Sequence, residues 1–134
     1  MINKYHVMPL VLEACPSFKR KWTIERAGTI DERLNDCLLY VDLGELSMHL
    51  IQLHQMKQVD EYPAVFTLIE RFLSEGDDYV KEAVTVGLFE SLRNLAENHQ
   101  VDLRILESFL HTDSLQWWKR ISDFLSKQTP AQQS

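Results

Sequence analysis

The stretch "SEGDDYVKEAVTVGLFESLRNLAENH", Ser74 to His99, decides the fold. Three acidic residues, Glu75, Asp77 and Asp78, crowd around Gly76 and run straight into a segment where Val80, Val84, Gly87, Leu88, Ser91, Leu92 and Leu95 recur at three- and four-residue spacing. That spacing is one face of an α-helix rather than the two-residue alternation of a strand. Asp77 stands at the N-cap, where a carboxylate accepts a backbone N–H of the first turn and complements the helix dipole. Ala83 and Gly87 are small enough to let a neighbouring helix approach closely. The segment holds no catalytic motif.

The same period extends outward in both directions. Asp60 and Glu61 precede Pro63, a helix start signal, and Val65, Phe66, Ile69, Phe72 and Leu73 form a buried stripe that Gly76 should end. Upstream, Leu39, Leu43, Leu46, Leu50 and Leu53 predict a helix from Cys37 to Lys57. Gly44 inside it costs about 1 kcal/mol relative to alanine, which suggests a close helix contact. Pro9 and Pro16 suit the first turns of two short helices, Pro9–Ala14 and Pro16–Ala27, because proline lacks only an N–H that is orphaned there. The polar stretch from Gly28 to Asn35 reads as a loop. Downstream, Asp102 caps a short helix through Leu103, Leu106, Phe109 and Leu110, and Asp113 starts a last one with Leu115, Trp118, Ile121 and Leu125 inward. The expected architecture is all-α in a single domain: N-terminal capping helices and loop over 1–36, antiparallel helical hairpins over 37–126, and a frayed polar tail over 127–134.

At 134 residues the chain suits one domain that folds without disulfides or metals. Two cysteines, Cys15 and Cys37, are too few for a disulfide framework, and both sit in apolar surroundings, which points to a reducing, cytoplasmic setting. The apolar run Val7 to Leu12 is too short for a signal-peptide core or a membrane span. Of the net charge of −6, residues 1–36 carry 6 Lys/Arg against 5 Asp/Glu, leaving 8 against 15 for the remainder. An acidic body disfavours direct nucleic-acid binding and favours a basic protein partner.

"RFLSEGDDYVKEAVTVGL" and "SFLHTDSLQWWKRISDFL" share an outline: a helix end, a Phe-Leu pair, an acidic turn and a new amphipathic helix. Phe72-Leu73 and Phe109-Leu110 lie 37 residues apart, a little under the period of about 40–47 of HEAT and armadillo repeats. Asp78-Tyr79-Val80-Lys81-Glu82-Ala83 resembles the HEAT pattern of an acidic turn leading into Val-Arg, with Lys81 in place of arginine. The resemblance implies a buried Val80 and a basic side chain reaching back to Asp77 and Asp78. From Leu10 to Leu125 the chain also resembles an uncharacterised group of small bacterial all-helical proteins, through "LEACPSF" (Leu12–Phe18), "LGELSMHL" (Leu43–Leu50), "EYPAVFTLIERFLSEGDDYVKEA" (Glu61–Ala83) and Trp117-Trp118. That resemblance implies a fold and assigns no catalytic residues. Size, charge and class are similar to those of immunity proteins, which inhibit toxins in the cytoplasm.

Glu45 and His49 have metal-ligand spacing on a helix, but His54 is off that face and no second Glu-x-x-His accompanies them. A surface or part-buried pair is the plainer reading. Cys15 and Cys37 read as buried fillers rather than nucleophiles. The four glycines are too scattered for a phosphate loop. No catalytic, cofactor or metal residues are therefore expected.

Adjacent Trp117 and Trp118 point about 100° apart on a helix, so one of them can face a partner unless a groove covers both. Glu70, Glu75, Asp77, Asp78 and Glu82 concentrate charge at one junction, with Asp60 and Glu61 adjacent if the preceding turn folds nearby. They serve either as capping and solvated acids or as a binding surface. The function expected from sequence is a non-enzymatic protein-binding module: a cytoplasmic immunity-type inhibitor that occludes a basic nuclease toxin through Glu70, Glu75, Asp77, Asp78, Glu82 and Trp117. The alternative is a helical-repeat adaptor with another protein partner.

Overall fold

A computed structural model describes residues 1–26 and 35–128, with side chains for 1–23 and 38–124. Apart from Asn35, the loop expected from Gly28 lies outside the described residues, as do the side chains of Cys37 and Leu125 and the end of the tail. The helices are α1 (Lys4–Ala14), α2 (Ser17–Arg26), α3 (Asn35–Gln55), α4 (Tyr62–Glu75), α5 (Asp78–Glu82), α6 (Ser91–Asn98), α7 (Leu103–Glu107) and α8 (Thr112–Gln128). A π-helical segment, Ala83–Glu90, joins α5 to α6 without a break. The fold is all-α: among the described residues the extended pairing is one isolated parallel bridge, Ile2 to Gly76. No helix among them is long and apolar enough to cross a membrane.

The first helix begins earlier than proline placement suggests. Asn3 accepts the Tyr5 N–H at 2.9 Å and donates its own N–H to His6 Nδ1 at 3.2 Å, a reciprocal capping box that starts α1 at Lys4. Pro9 therefore sits inside the helix, a position that costs about 3 kcal/mol in isolation. Burial of Val7, Met8 and Val11 against α3 and α4 offsets that cost. Pro16 immediately precedes α2, close to its expected place.

α4 ends at Gly76 as expected, but with an extended backbone (φ −73°, ψ 153°). Space is what demands glycine there: a Cβ would lie 2.3 Å from the Phe72 carbonyl oxygen and 2.7 Å from Val80 Cγ1. Ile2 clamps this junction. Its N–H donates to the Glu75 carbonyl at 2.8 Å and its carbonyl accepts the Asp77 N–H at 2.9 Å, so the backbone groups on either side of buried Gly76 find partners. Asp77 then caps α5, its Oδ1 accepting the Val80 N–H at 2.9 Å.

Beyond this turn, α3 packs along the π segment and α6, α4 packs on α8, and α1 lies across α3 and α4. Val80, Val84, Gly87, Leu88 and Leu92 are buried as the helical period predicts. The wider i→i+5 winding also brings Thr85 and Phe89 inward. Hydroxyls take up carbonyls around it: Thr85 donates to Lys81 and Glu82 at 3.1 and 3.0 Å, and buried Ser47 of α3 donates to Leu43 and Leu88 at 2.9 and 3.1 Å.

The glycines separate two kinds of close contact. A Cβ on Gly87 would lie 3.3 Å from Tyr40 Cα, whereas on Gly44 its nearest neighbour would be Ser91 Oγ at 3.9 Å. Gly87 thus lets α3 approach, and Gly44, against the sequence expectation, leaves room for a methyl group. Urea unfolding should therefore find Gly44→Ala equal to the parent or up to about 1 kcal/mol more stable, Gly87→Ala about 1 kcal/mol less stable, and Gly76→Ala less stable by about 3 kcal/mol. Equal effects at the three positions would contradict this packing.

Candidate functional site

The acids of the expected site divide by what they touch. Glu70, midway along α4, accepts the N–H of Ser114 at 2.8 Å and of Asp113 at 3.1 Å with its two oxygens. Those amides open α8 and have no partner inside their own helix, so a carboxylate from another helix caps them. Partial burial pushes the Glu70 carboxyl up, but the bonds from Ser114 and Asp113 and the nearby His111 outweigh it and hold the group below the ordinary glutamate value. Glu75 pairs with Arg71 at 3.2 Å, an exposed pair one helical turn apart. Asp77 is the α5 cap. Asp60 and Glu61 lie at the far end of α4 from this junction, roughly 20 Å away along the helix axis.

Asp78 and Glu82 remain. Both are exposed, and among the described residues neither has a cationic nitrogen within 4.0 Å. Lys81 does not reach back to Asp77 or Asp78 as the HEAT resemblance implies; no ion pair joins them among the described residues. One turn apart on α5, Asp78 and Glu82 share with Lys81, Thr85 and Trp117 the lining of a groove of about 430 Å³. The two tryptophans part as their spacing requires. Trp118 is buried, donates its indole N–H to Glu107 at 2.9 Å and meets Phe89 edge-on at 5.4 Å. Trp117 is part-exposed, faces the groove and carries the Arg120 guanidinium 5.1 Å from its ring centre. The structure thus brings together Asp78, Glu82 and Trp117, and gives Glu70, Glu75 and Asp77 other partners.

The family described as "Domain of unknown function (DUF7674)" matches residues 8–126, a span that includes both walls of this groove. The chain belongs to that family. No curated protein and no solved structure matches it.

This DUF7674 chain holds a second polar cluster that sequence reasoning did not assemble. The Ser17 hydroxyl donates to Glu61 Oε1 at 2.8 Å and stands 2.8 Å from His49 Nε2, while the Ser17 N–H lies 3.3 Å from both Glu61 oxygens. A hydroxyl has one proton. With that proton directed at Glu61, the His49 bond has Nε2–H donating to the serine oxygen. The Phe18 and Lys19 amides bond to the Cys15 and Pro16 carbonyls at 3.0 and 3.1 Å. Cys15 is buried; its thiol is pushed up to about 12 by burial, reinforced by Glu61, and stays protonated. Burial, helped by Lys21, holds His49 below the ordinary histidine value against the pull of Glu61.

The bonds from Ser17 to Glu61 form a cap across helices. Glu61, at the N-cap position of α4, makes no side-chain bond to its own helix and holds the start of α2 instead. Burial raises its pKa, but bonds from Cys15 and Ser17 prevail and keep it below the ordinary value. The sequence flagged Cys15, His49 and Glu61 separately; the Ser17–His49 and Ser17–Glu61 contacts span 32 and 44 residues, beyond the reach of a helical period.

Glu61 and Glu70 both have lowered folded-state pKa values. Their stabilisation is complete above the ordinary glutamate value near 4.5 and is lost as pH falls through the lowered values. Glu70→Ala should cost about 1–3 kcal/mol near neutral pH by leaving the Ser114 and Asp113 amides unpaired. The variant should also lose less further stability than the parent between pH 5 and roughly pH 3. Melts indistinguishable from the parent across that range would remove Glu70 as a cap.

Proposed function

We propose that the protein is a non-catalytic binding module for a basic protein, and that it works as an immunity-type inhibitor of a nuclease toxin in a reducing cytoplasm. One observation carries this reading: Asp78 and Glu82, free of cationic partners among the described residues, face a groove that ends on part-exposed Trp117. The net charge of −6 supports it, because an acidic surface accelerates encounter with a lysine- and arginine-rich domain and mimics the phosphates such a domain holds. Tryptophan beside charge is also the composition of interface anchors. The hairpin arrangement resembling HEAT repeats belongs to the same proposal, as a scaffold that sets α5 against α8.

The test is the association rate with a candidate basic nuclease toxin domain, at two ionic strengths. Asp78→Lys with Glu82→Lys should slow association at least about tenfold at low salt and flatten its salt dependence. Circular dichroism would confirm that the double variant stays folded. An unchanged rate in the folded variant would contradict the proposal.

A further inference from the structure

We infer that His49 is an acid-sensitive latch on α2: neutral, it holds α2 against α3 and the start of α4, and on taking up a proton it releases α2 and uncovers Phe18. The inference stands apart from the binding reading above. Its basis is the geometry around the ring. His49 lies on α3 with 9% of its surface exposed, and α2 supplies cover. The Ser17 hydroxyl oxygen stands 2.8 Å from Nε2, and the fully buried Phe18 ring lies 5.2 Å from the imidazole at a tilt of 40°. Ser17 in turn donates to Glu61 at 2.8 Å, so one hydroxyl stands between the imidazole and this carboxylate.

The groups around the ring favour its neutral form. Lys21 on α2 brings an ammonium, held by Gln52 of α3 at 3.2 Å, and Glu61 brings the opposing charge from the start of α4. Cys15, just past α1, stays protonated, and Glu45 stands one turn before His49 on α3. Burial and then Lys21 outweigh Glu61 and hold the imidazole below its ordinary value. A second ring proton, on Nδ1, therefore makes a buried cation beside an ammonium. Lifting α2 relieves this by admitting water to the ring. An undocked helix of ten residues does not hold its hydrogen bonds in water, so release and fraying of α2 go together. With α2 open, the imidazole takes its proton near the ordinary value of 6.5, which the closed form resists. Closure is thus fully favoured above that value and is progressively lost as pH falls from it. The Glu61 cap on α2 weakens only below its own ordinary value of 4.5, so the two groups act in separate windows.

The latch can be tested by amide hydrogen exchange of the full chain, with each rate referred to the intrinsic rate at the same pH. Between about pH 7 and about pH 5 the protection of Lys21, Trp22 and Thr23 in α2 should fall at least about threefold, while that of Ile69 in α4 stays constant. His49→Gln keeps a donor for Ser17 but takes no proton, and should leave α2 protection independent of pH over this range. Lys21→Gln removes the neighbouring ammonium, so His49 should titrate higher and the fall should shrink; this surface variant decides the matter if the glutamine variant at His49 does not fold. Protection in α2 that ignores pH in the parent, or that falls equally in His49→Gln, would overturn the latch. A fall shared equally by Ile69, or one unchanged in Lys21→Gln, would overturn it as well.

Discussion

Helix N-termini expose amide donors that their own helix cannot satisfy, and in this protein one helix meets that need for two others. Glu61 at the start of α4 holds the first amide of α2, and Glu70 in its middle holds the first amides of α8. A carboxylate in such a bond must arrive at about 3 Å and in the right direction. The two contacts therefore fix where α2 and α8 begin relative to α4. The placement of Trp117 follows, since it lies one turn into α8, and so does the groove it closes. Glu70 thus shapes the candidate site without lining it.

Sterics supply the second constraint. Gly76 leaves no room for a Cβ between the end of α4 and Val80, and Ile2 lies against it as a single extended residue. This tight corner sets the direction of α5, on which Asp78 and Glu82 stand. The π segment that follows admits α3 closely at Gly87. Acidic caps, a crowded glycine and a widened helix together turn a charged stretch of sequence into one wall of a groove.

Local chemistry was legible in advance, and long-range pairing was not. The apolar period located α3, α4 and the long helix after Gly76 to within a few residues; Asp77 and Asp102 cap the helices they were expected to cap. Adjacent tryptophans necessarily diverge, and they do. The period cannot show where a carboxylate goes when its partner is 44 residues away, so Glu61 and Glu70 read as surface acids when they are caps for other helices. Nor does it mark the π segment, whose extra buried residues depart from a 3.6-residue face. Proline position misled at Pro9, because the Asn3–His6 box starts α1 upstream of it.

The central claim is that α4 carboxylates are internal helix caps, leaving the uncommitted acids to face α8. Its most direct measurement is a site-resolved carboxyl carbon titration of the folded protein by NMR. Glu61 and Glu70 should both titrate below the ordinary glutamate value, and replacing Glu70 by glutamine should speed hydrogen exchange at the amides of Asp113 and Ser114 while leaving that of Val80 unchanged. Ordinary titration of both glutamates, with exchange at Asp113 and Ser114 indifferent to the substitution, would contradict the account.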